Sequence, residues 1–151
     1  GPVLFDDALY FTSNRLGADG GGNTEINWGE TSPTQLDQFI NILKLDLETD
    51  ELTVLDTPIK MANGMTKTAD GENILALSQG FNNTGGGVFE LNRETLEVTP
   101  ILTSYFGREF NSPNDIEITS DGIIFVNDPP YGFEQGKNYQ QFRMQRVLVP
   151  T

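Results

Sequence analysis

The chain has 151 residues, of which 36% are hydrophobic, so it is long enough to bury one core. It carries 22 acidic residues against 9 basic ones, and the resulting formal charge of −13 opposes binding to nucleic acid or to an anionic membrane surface. No run approaches the roughly 18 apolar residues that a membrane span requires. We therefore expect neither nucleic acid nor a membrane as a partner, and the compartment stays open between secreted and cytoplasmic.

The chain has no cysteine and no histidine. This absence excludes disulfides, thiolate or imidazole metal sites, and nucleophiles that depend on a histidine base. The remaining donors are carboxylates, amides, hydroxyls and backbone carbonyls, which suit hard cations such as calcium.

Short apolar or alternating runs separated by turn residues predict β-strands along most of the chain. In chain order these runs are Val3 to Phe5, Leu9 to Thr12, Ile42 to Leu47, Leu52 to Leu55, Ile74 to Leu77, Gly87 to Leu91, Leu96 to Leu102, Ile116 to Thr119 and Ile123 to Val126. Asp70-Gly71 and Asp121-Gly122 are suited to tight turns, because glycine accepts positive φ and aspartate bonds its own backbone. The segment from Lys137 to Thr151 is predicted to form one more strand. The predicted fold class is all-β.

An internal repeat is the most informative feature of the sequence. Asn63 to Gly71 aligns with Asn114 to Gly122 at an offset of 114 − 63 = 51 residues, and an apolar strand follows each copy. Gly1 to Thr12 resembles a degenerate earlier copy. Leu45 to Val54 also aligns with Phe89 to Val98, at an offset of 89 − 45 = 44 residues with one residue of slippage. Each repeating unit thus contains two hairpins.

A repeat of about 40 to 50 residues built from four strands is typical of a β-propeller blade. We predict one partial propeller domain, with units at about residues 1–62, 63–113 and 114–151. Because propellers close with about four to eight blades, three blades leave unpaired edges. We therefore expect association with the remainder of a propeller or with a second copy of the chain.

Two adjoining motifs resemble the SMP-30/gluconolactonase/luciferin-regenerating-enzyme family: NSPNDI at Asn111–Ile116 and SDGIIFVNDPPYG at Ser120–Gly132. Gly1-Pro2-Val3, Leu9–Asn14 and Asn63–Met65 extend the resemblance over most of the chain. Family members are six-bladed propellers with a divalent cation, usually calcium, in the central tunnel, and most hydrolyse lactones or related esters. The resemblance therefore implies about half of a calcium-dependent lactonase, with another divalent cation as the alternative.

The resemblance also implies candidate residues at the tunnel. Asn114 is the candidate ligand of the cation, and Asp115 either serves a second, structural cation or orients the ligands. For both residues the alternative is a plain turn at the start of a strand. Asn63, at the equivalent place in the previous unit, is expected to contact substrate or water in the same tunnel. Its alternative is a turn residue with a left-handed backbone before Gly64.

Asp128 and Tyr131 lie in a stretch that resembles the family's loop beside the tunnel mouth, so they are candidate substrate-binding residues. For Asp128 the alternative is a structural role, in which its carboxylate caps backbone amides of the loop. For Tyr131 the alternative is packing between blades.

Two parts of the family's site are not among these 151 residues. One is a carboxylate that precedes the Gly-Pro of the first blade, and the other is an aspartate of a later blade that serves as ligand and general base. The absence of histidine excludes the histidine chemistry of the paraoxonase branch. We therefore expect a partial site and an isolated chain that is inactive. A propeller that binds a ligand or partner without catalysis, and a non-hydrolytic cyclase or isomerase, remain alternatives.

Overall fold

A computed structural model describes residues 1–14, 40–59, 61–80, 86–131 and 145–149 of the chain. The named elements in these ranges are β-strands, as the sequence predicted. In chain order they are β1 (Val3–Leu4), β2 (Ala8–Asn14), β3 (Ile40–Asp46), β4 (Leu52–Val54), β5 (Ala62–Lys67), β6 (Ile74–Ser78), β7 (Gly87–Leu91), β8 (Val98–Leu102), β9 (Ser104–Tyr105), β10 (Arg108–Glu109), β11 (Asp115–Ile118), β12 (Ile124–Asp128) and β13 (Gln145–Val149). Within the described residues, no helix is long and apolar enough to cross a membrane.

The strands form successive antiparallel meanders. The first sheet has the order β1-β2-β3-β4, and the second has the order β5-β6-β7-β8. The third sheet is β11-β12-β13 in the described part of the chain, and β9 and β10 form a short hairpin before it. Neighbours in each sheet are also neighbours along the chain, which is the arrangement of propeller blades. The unit limits given above stay a prediction.

The second sheet is packed between the other two. All of β6 is buried. Ile74 and Ala76 belong to the core shared with the first sheet, whereas Leu75 and Leu77 belong to the core shared with the third sheet. Because successive side chains of a strand point to opposite faces, β6 contributes to both cores and holds the three sheets in a stack.

Each of the two cores joins a pair of neighbouring sheets. The core between the first and second sheets consists of Val3, Phe5, Ala8, Tyr10, Ile42, Leu55, Ile59, Ala62, Met65, Ile74, Ala76 and Leu91. The core between the second and third sheets consists of Leu75, Leu77, Val88, Phe110, Ile116, Ile124 and Val126.

The turn between β5 and β6 bonds its own backbone. Thr68 N donates to Asn73 O at 3.0 Å, and Thr68 Oγ1 donates to Asp70 Oδ1 at 2.6 Å. Gly71 has φ of +79°, a conformation that glycine adopts without strain. This is the tight turn that the Asp-Gly dipeptide predicted.

The turn between β11 and β12 repeats this arrangement. Thr119 N donates to Ile123 O at 2.9 Å, and Thr119 Oγ1 donates to Asp121 Oδ1. Gly122 has φ of +87°. The offset between the two threonines is 119 − 68 = 51 residues, which is the offset that the sequence predicted.

The hydrogen bonds of the turns at the ends of β3 and β7 show that the second predicted alignment is wrong. Asp46 Oδ1 accepts a hydrogen bond from Thr49 N at 2.9 Å, and Asn92 Oδ1 accepts one from Thr95 N at 2.9 Å. The structural offset is therefore 92 − 46 = 46 residues, whereas the sequence predicted 44. A shift of two residues leaves an alternating apolar pattern in phase, so alternation alone does not distinguish the two registers.

Candidate functional site

A cavity of about 460 Å³ lies at the edge of the sheets where β5 and β11 begin. Its lining residues are Gly1, Pro2, Phe11, Thr12, Asn63, Gly64, Asn114 and Asp115. β5 packs against β11, and both β1 and β2 contact β5. The cavity therefore lies where the first strands of three neighbouring sheets meet.

Three of the predicted site residues, Asn63, Asn114 and Asp115, line this one cavity. Asn63 is part of β5 and is not among the residues with positive φ, so its alternative as a left-handed turn residue is wrong. Asn114 immediately precedes β11. The two asparagines thus occupy corresponding places in neighbouring sheets, while their roles toward a cation or a substrate stay predictions.

Gly64 allows β5 and β11 to approach each other closely. Gly64 N donates to Asn114 O at 2.9 Å. A Cβ atom at position 64 would lie 2.7 Å from Asn114 O and 2.8 Å from Asp115 Cα. Because both of these are backbone atoms, no change of side-chain rotamer relieves the clash. Glycine is therefore required here by the close contact between backbones.

The side-chain amides of Asn63 and Asn114 have no hydrogen-bond partner in the described part of the chain. Both residues are half-buried. Buried amide groups in proteins are nearly always hydrogen-bonded, either within the protein or to water or a ligand. Two amides at the wall of one cavity are thus available to a bound molecule.

Asp115 supplies a carboxylate to the cavity. It is exposed, its Oδ1 accepts a hydrogen bond from Ile116 N at 3.1 Å, and the amino group of Gly1 lies 3.9 Å from the same oxygen. Within the described ranges, no group of three or more Asp, Glu, His or Cys side chains is placed to hold a metal ion. Calcium takes about six to eight oxygen ligands. The cavity donors fit calcium in type, as neutral and carboxylate oxygens, but they supply only part of its coordination.

Asp128 lies outside the cavity lining and is fully buried. Its Oδ2 accepts hydrogen bonds from Asn111 N and Asn111 Nδ2, both at 2.9 Å, and its Oδ1 accepts one from Ser112 N at 2.7 Å. Burial raises the pKa of this carboxyl, and the hydrogen bonds from Asn111 and Ser112 oppose the rise. Because both oxygens are bonded inside the protein, this geometry favours the capping role over the predicted substrate contact.

Tyr131 is 43% exposed and is not among the cavity-lining residues. Tyr131 therefore does not line the cavity together with Asn63, Asn114 and Asp115. Sequence reasoning missed Asn127, whose side chain bonds the backbone of Asp115. Alternation along β12 places Asn127 on the face opposite to the buried Val126 and Asp128, which predicts its exposure but not its hydrogen-bond partner.

No protein-family model matches the chain. A stretch of 71 residues, 47% of the chain, is 31% identical to a protein named gluconolactonase from Zymomonas mobilis subsp. mobilis (strain ATCC 31821 / ZM4 / CP4) and covers 18% of it. The structure of XC5397 from Xanthomonas campestris, described as a gluconolactonase important in glucose secondary metabolic pathways, matches with a TM-score of 0.60 and 21% identity. The predicted resemblance to gluconolactonases is confirmed.

The match to XC5397 covers 75% of this chain and 39% of that one. The β-propeller domain of the Trilobed protease from Pyrococcus furiosus matches 99% of this chain and 41% of that one, with a TM-score of 0.52 and 11% identity. These structural matches confirm the predicted β-propeller fold. The chain spans less than half the length of each of these gluconolactonase-like and propeller chains.

Proposed function

We propose that this chain forms part of the active site of a calcium-dependent hydrolase of lactones or related esters. The observation that supports the proposal most strongly is a pair of amides, Asn63 and Asn114, that have no hydrogen-bond partner among the described residues and lie beside the carboxylate of Asp115 in one cavity. The similarity to proteins named gluconolactonase supports the choice of a lactone as substrate.

In this proposal, Asn114 contributes its amide oxygen and Asp115 a carboxylate oxygen to the bound cation. Bound calcium supplies a Lewis acid that polarises the ester carbonyl. Asn63 donates a hydrogen bond from its amide nitrogen to an oxygen of the lactone and so orients the ring. The general base and the remaining ligands come from outside these 151 residues. The isolated chain is therefore expected to bind ligand without turning it over.

The partner in this proposal is the remainder of the propeller. On the face of the first sheet that points away from the second sheet, cross-strand pairing places four leucines in one row: Leu4, Leu9, Leu45 and Leu52. Leu4 and Leu52 are 58% and 46% exposed. An exposed apolar row of this kind supports the expectation that another blade covers the face. Light scattering of the isolated chain tests for the alternative, a second copy.

Lactone hydrolysis by the complete propeller, measured with calcium and after chelation, tests the proposed activity. Asn114→Ala is expected to lower the rate at least about tenfold by removing an oxygen donor. Asn92→Ala is the matched control, because Asn92 is an asparagine in a turn at the opposite edge of the second sheet. Activity that survives both calcium removal and Asn114→Ala rules out the proposal.

A second candidate is a propeller that binds a ligand without hydrolysis. The observation in its favour is that Asp115 supplies the only carboxylate among the cavity-lining residues that the structure describes. Metal analysis of the purified protein by mass spectrometry separates the two candidates. Stoichiometric calcium favours the hydrolase, whereas lactone binding without metal favours the binder. The cyclase or isomerase alternative stays a prediction.

A further inference from the structure

Asn127 contacts the backbone of both cavity residues at the start of β11. Its carbonyl oxygen accepts a hydrogen bond from Asn114 N at 3.1 Å. Its side-chain Oδ1 accepts a second hydrogen bond from Asp115 N at 2.9 Å. One residue of β12 therefore fixes two consecutive residues that line the cavity.

The chain enters β11 at two residues that both line the cavity. Asn114 immediately precedes the strand, and Asp115 is its first residue. Asp115 pairs with Asn127 in the regular register of β11 and β12, and its N–H also donates to the Asn127 side chain. The hydrogen bonds to Asn127 therefore hold the backbone of both residues where the strand begins.

The segment just before Asn114 is rigidly held as well. Asn111 and Ser112 are fully buried and donate three hydrogen bonds, from two backbone nitrogens and one amide, to the oxygens of the Asp128 carboxylate. Pro113 follows with its restricted φ. Asn114 thus follows a segment that buried hydrogen bonds hold in place. Asn127 is the residue that bonds the backbone of Asn114 and Asp115 directly.

We propose that Asn127 is a positioning residue, which sets the direction in which the side chains of Asn114 and Asp115 enter the cavity. The inference rests on the proposed function for its biological meaning, because a cation is what the two oriented oxygens would bind. Asn127 itself is exposed and lies outside the cavity lining, so it acts through its neighbours.

Three variants of the 151-residue chain isolate this role. Asn127→Ala removes the Oδ1 acceptor, and the exposed position lets the core remain intact. Asn127→Asp keeps an oxygen acceptor toward Asp115 N. Phe125→Ala is the matched control, because Phe125 is 46% exposed and lies two residues earlier on the same face of β12.

The deciding measurement is the side-chain orientation of Asn114 and Asp115, read from the NMR couplings that report their χ1 angles. We expect Asn127→Ala to move these couplings toward rotamer-averaged values, while Asn127→Asp and Phe125→Ala keep the parent values. A destabilised but correctly folded chain would not show this change at two residues alone. Parent couplings in Asn127→Ala overturn the inference.

A titration of the complete propeller with calcium chloride, followed at the NMR signals of Asn114 and Asp115, links the orientation to binding. We expect Asn127→Ala to weaken calcium binding about tenfold and Phe125→Ala to leave it unchanged. If the complete propeller with the parent residues shows no response at Asn114, the proposed calcium role fails, and the couplings still decide the role of Asn127. If calcium binds the parent and Asn127→Ala equally, the positioning role is wrong while the proposed function stands.

Discussion

The two edges of the second and third sheets differ in how their polar groups are bonded. At the edge away from the cavity, the turns that begin at Thr68 and Thr119 form matching hydrogen bonds within themselves. At the cavity edge, the amides of Asn63 and Asn114 find no partner in the described residues. A turn that bonds itself stabilises the sheet, whereas groups left without internal partners are available to a ligand. The repeated units therefore separate an edge whose polar groups bond one another from an edge whose two amides have no partner among the described residues.

The repeat also diverges where its two copies touch. Gly64 and Asp115 are equivalent positions, since 115 − 64 = 51. In one copy the side chain is absent, and the backbone of the other copy occupies that space at 2.7 Å and 2.8 Å from where a Cβ would be. The carboxylate is present only in the other copy. Close packing at the cavity edge thus requires glycine in one copy and permits a side chain in the other, while the self-contained turns at the opposite edge stay alike.

The largest expected effect comes from Asp128, which holds the cavity edge. Asp128→Asn replaces an oxygen by an NH₂ group that faces the N–H donors of Asn111 or Ser112. Leaving buried donors unsatisfied is expected to lower the free energy of unfolding by about 3 kcal/mol. Urea denaturation measures this loss. Asp121→Asn, in an exposed turn at the opposite edge, is the control and should cost clearly less. Equal losses in the two variants would remove the distinction between the edges.

Gly64→Ala is expected to have the next largest effect. Its Cβ forces β5 and β11 apart, which should lower the free energy of unfolding by about 2 kcal/mol and shift the NMR signals of Asn114 and Asp115. Gly71→Ala has open space around its Cβ but φ of +79°, so backbone strain should cost about 1 kcal/mol without changing the cavity signals. Denaturation and amide spectra measure both. Changed cavity signals in Gly71→Ala would show that the edges are coupled.

Thr68→Val and Thr119→Val test the equivalence of the two turns. Each substitution removes a hydroxyl that donates to an aspartate and accepts from a backbone N–H, so each should lower the free energy of unfolding by about 1 kcal/mol. The two losses should be equal within error, and calcium or ligand binding at the cavity should not change. Unequal losses would show that one turn has contacts that the repeat does not share.

The smallest expected effect is a difference between the pKa values of two carboxyl groups, one at each edge. Burial raises the pKa of Asp128, whereas hydrogen bonds from Thr68 and Glu72 lower the pKa of Asp70. The stabilising contribution of Asp70 is therefore present above its unfolded pKa and is lost as pH falls through its folded value. The contribution of Asp128 to stability depends on pH in the opposite direction. It is present below the unfolded pKa of Asp128 and is lost as pH rises through its folded pKa. Carboxyl ¹³C shifts measured against pH should place Asp128 above Asp70, and the reverse order contradicts the assignment.

Local patterns allowed much of the fold to be predicted from the sequence. Alternating apolar residues and Asp-Gly turns identified the strands and the offset of 51 residues, because both signals depend on neighbours along the chain. Because side chains along a strand alternate between its two faces, a shift of two residues keeps each side chain on the same face. The apolar pattern therefore did not show that Asp46 aligns with Asn92. Asn63 and Asn114, which the repeat places at equivalent positions, line one cavity, and their predicted roles in a tunnel stay predictions.

The role of Asp128 was not decided by the sequence. A carboxylate after a strand suits both a substrate contact and a cap on backbone amides, and only its burial against Asn111 and Ser112 separates the two. Asn127 was missed for a related reason. An exposed asparagine has no sequence signal for its partner, which is the backbone of Asp115 twelve residues earlier.

The sequence by itself determined the strand pattern, the self-bonded turns and the repeated unit, because hydrogen bonds and side-chain alternation within a hairpin involve residues that are close along the chain. Only the tertiary structure decided which polar groups stay available and which are buried. Gly64 meets Asn114 across two neighbouring sheets, and the Asp128 carboxylate bonds residues 16 and 17 positions away. Such contacts arise when sheets pack against each other, so they depend on distances in space that no local pattern encodes.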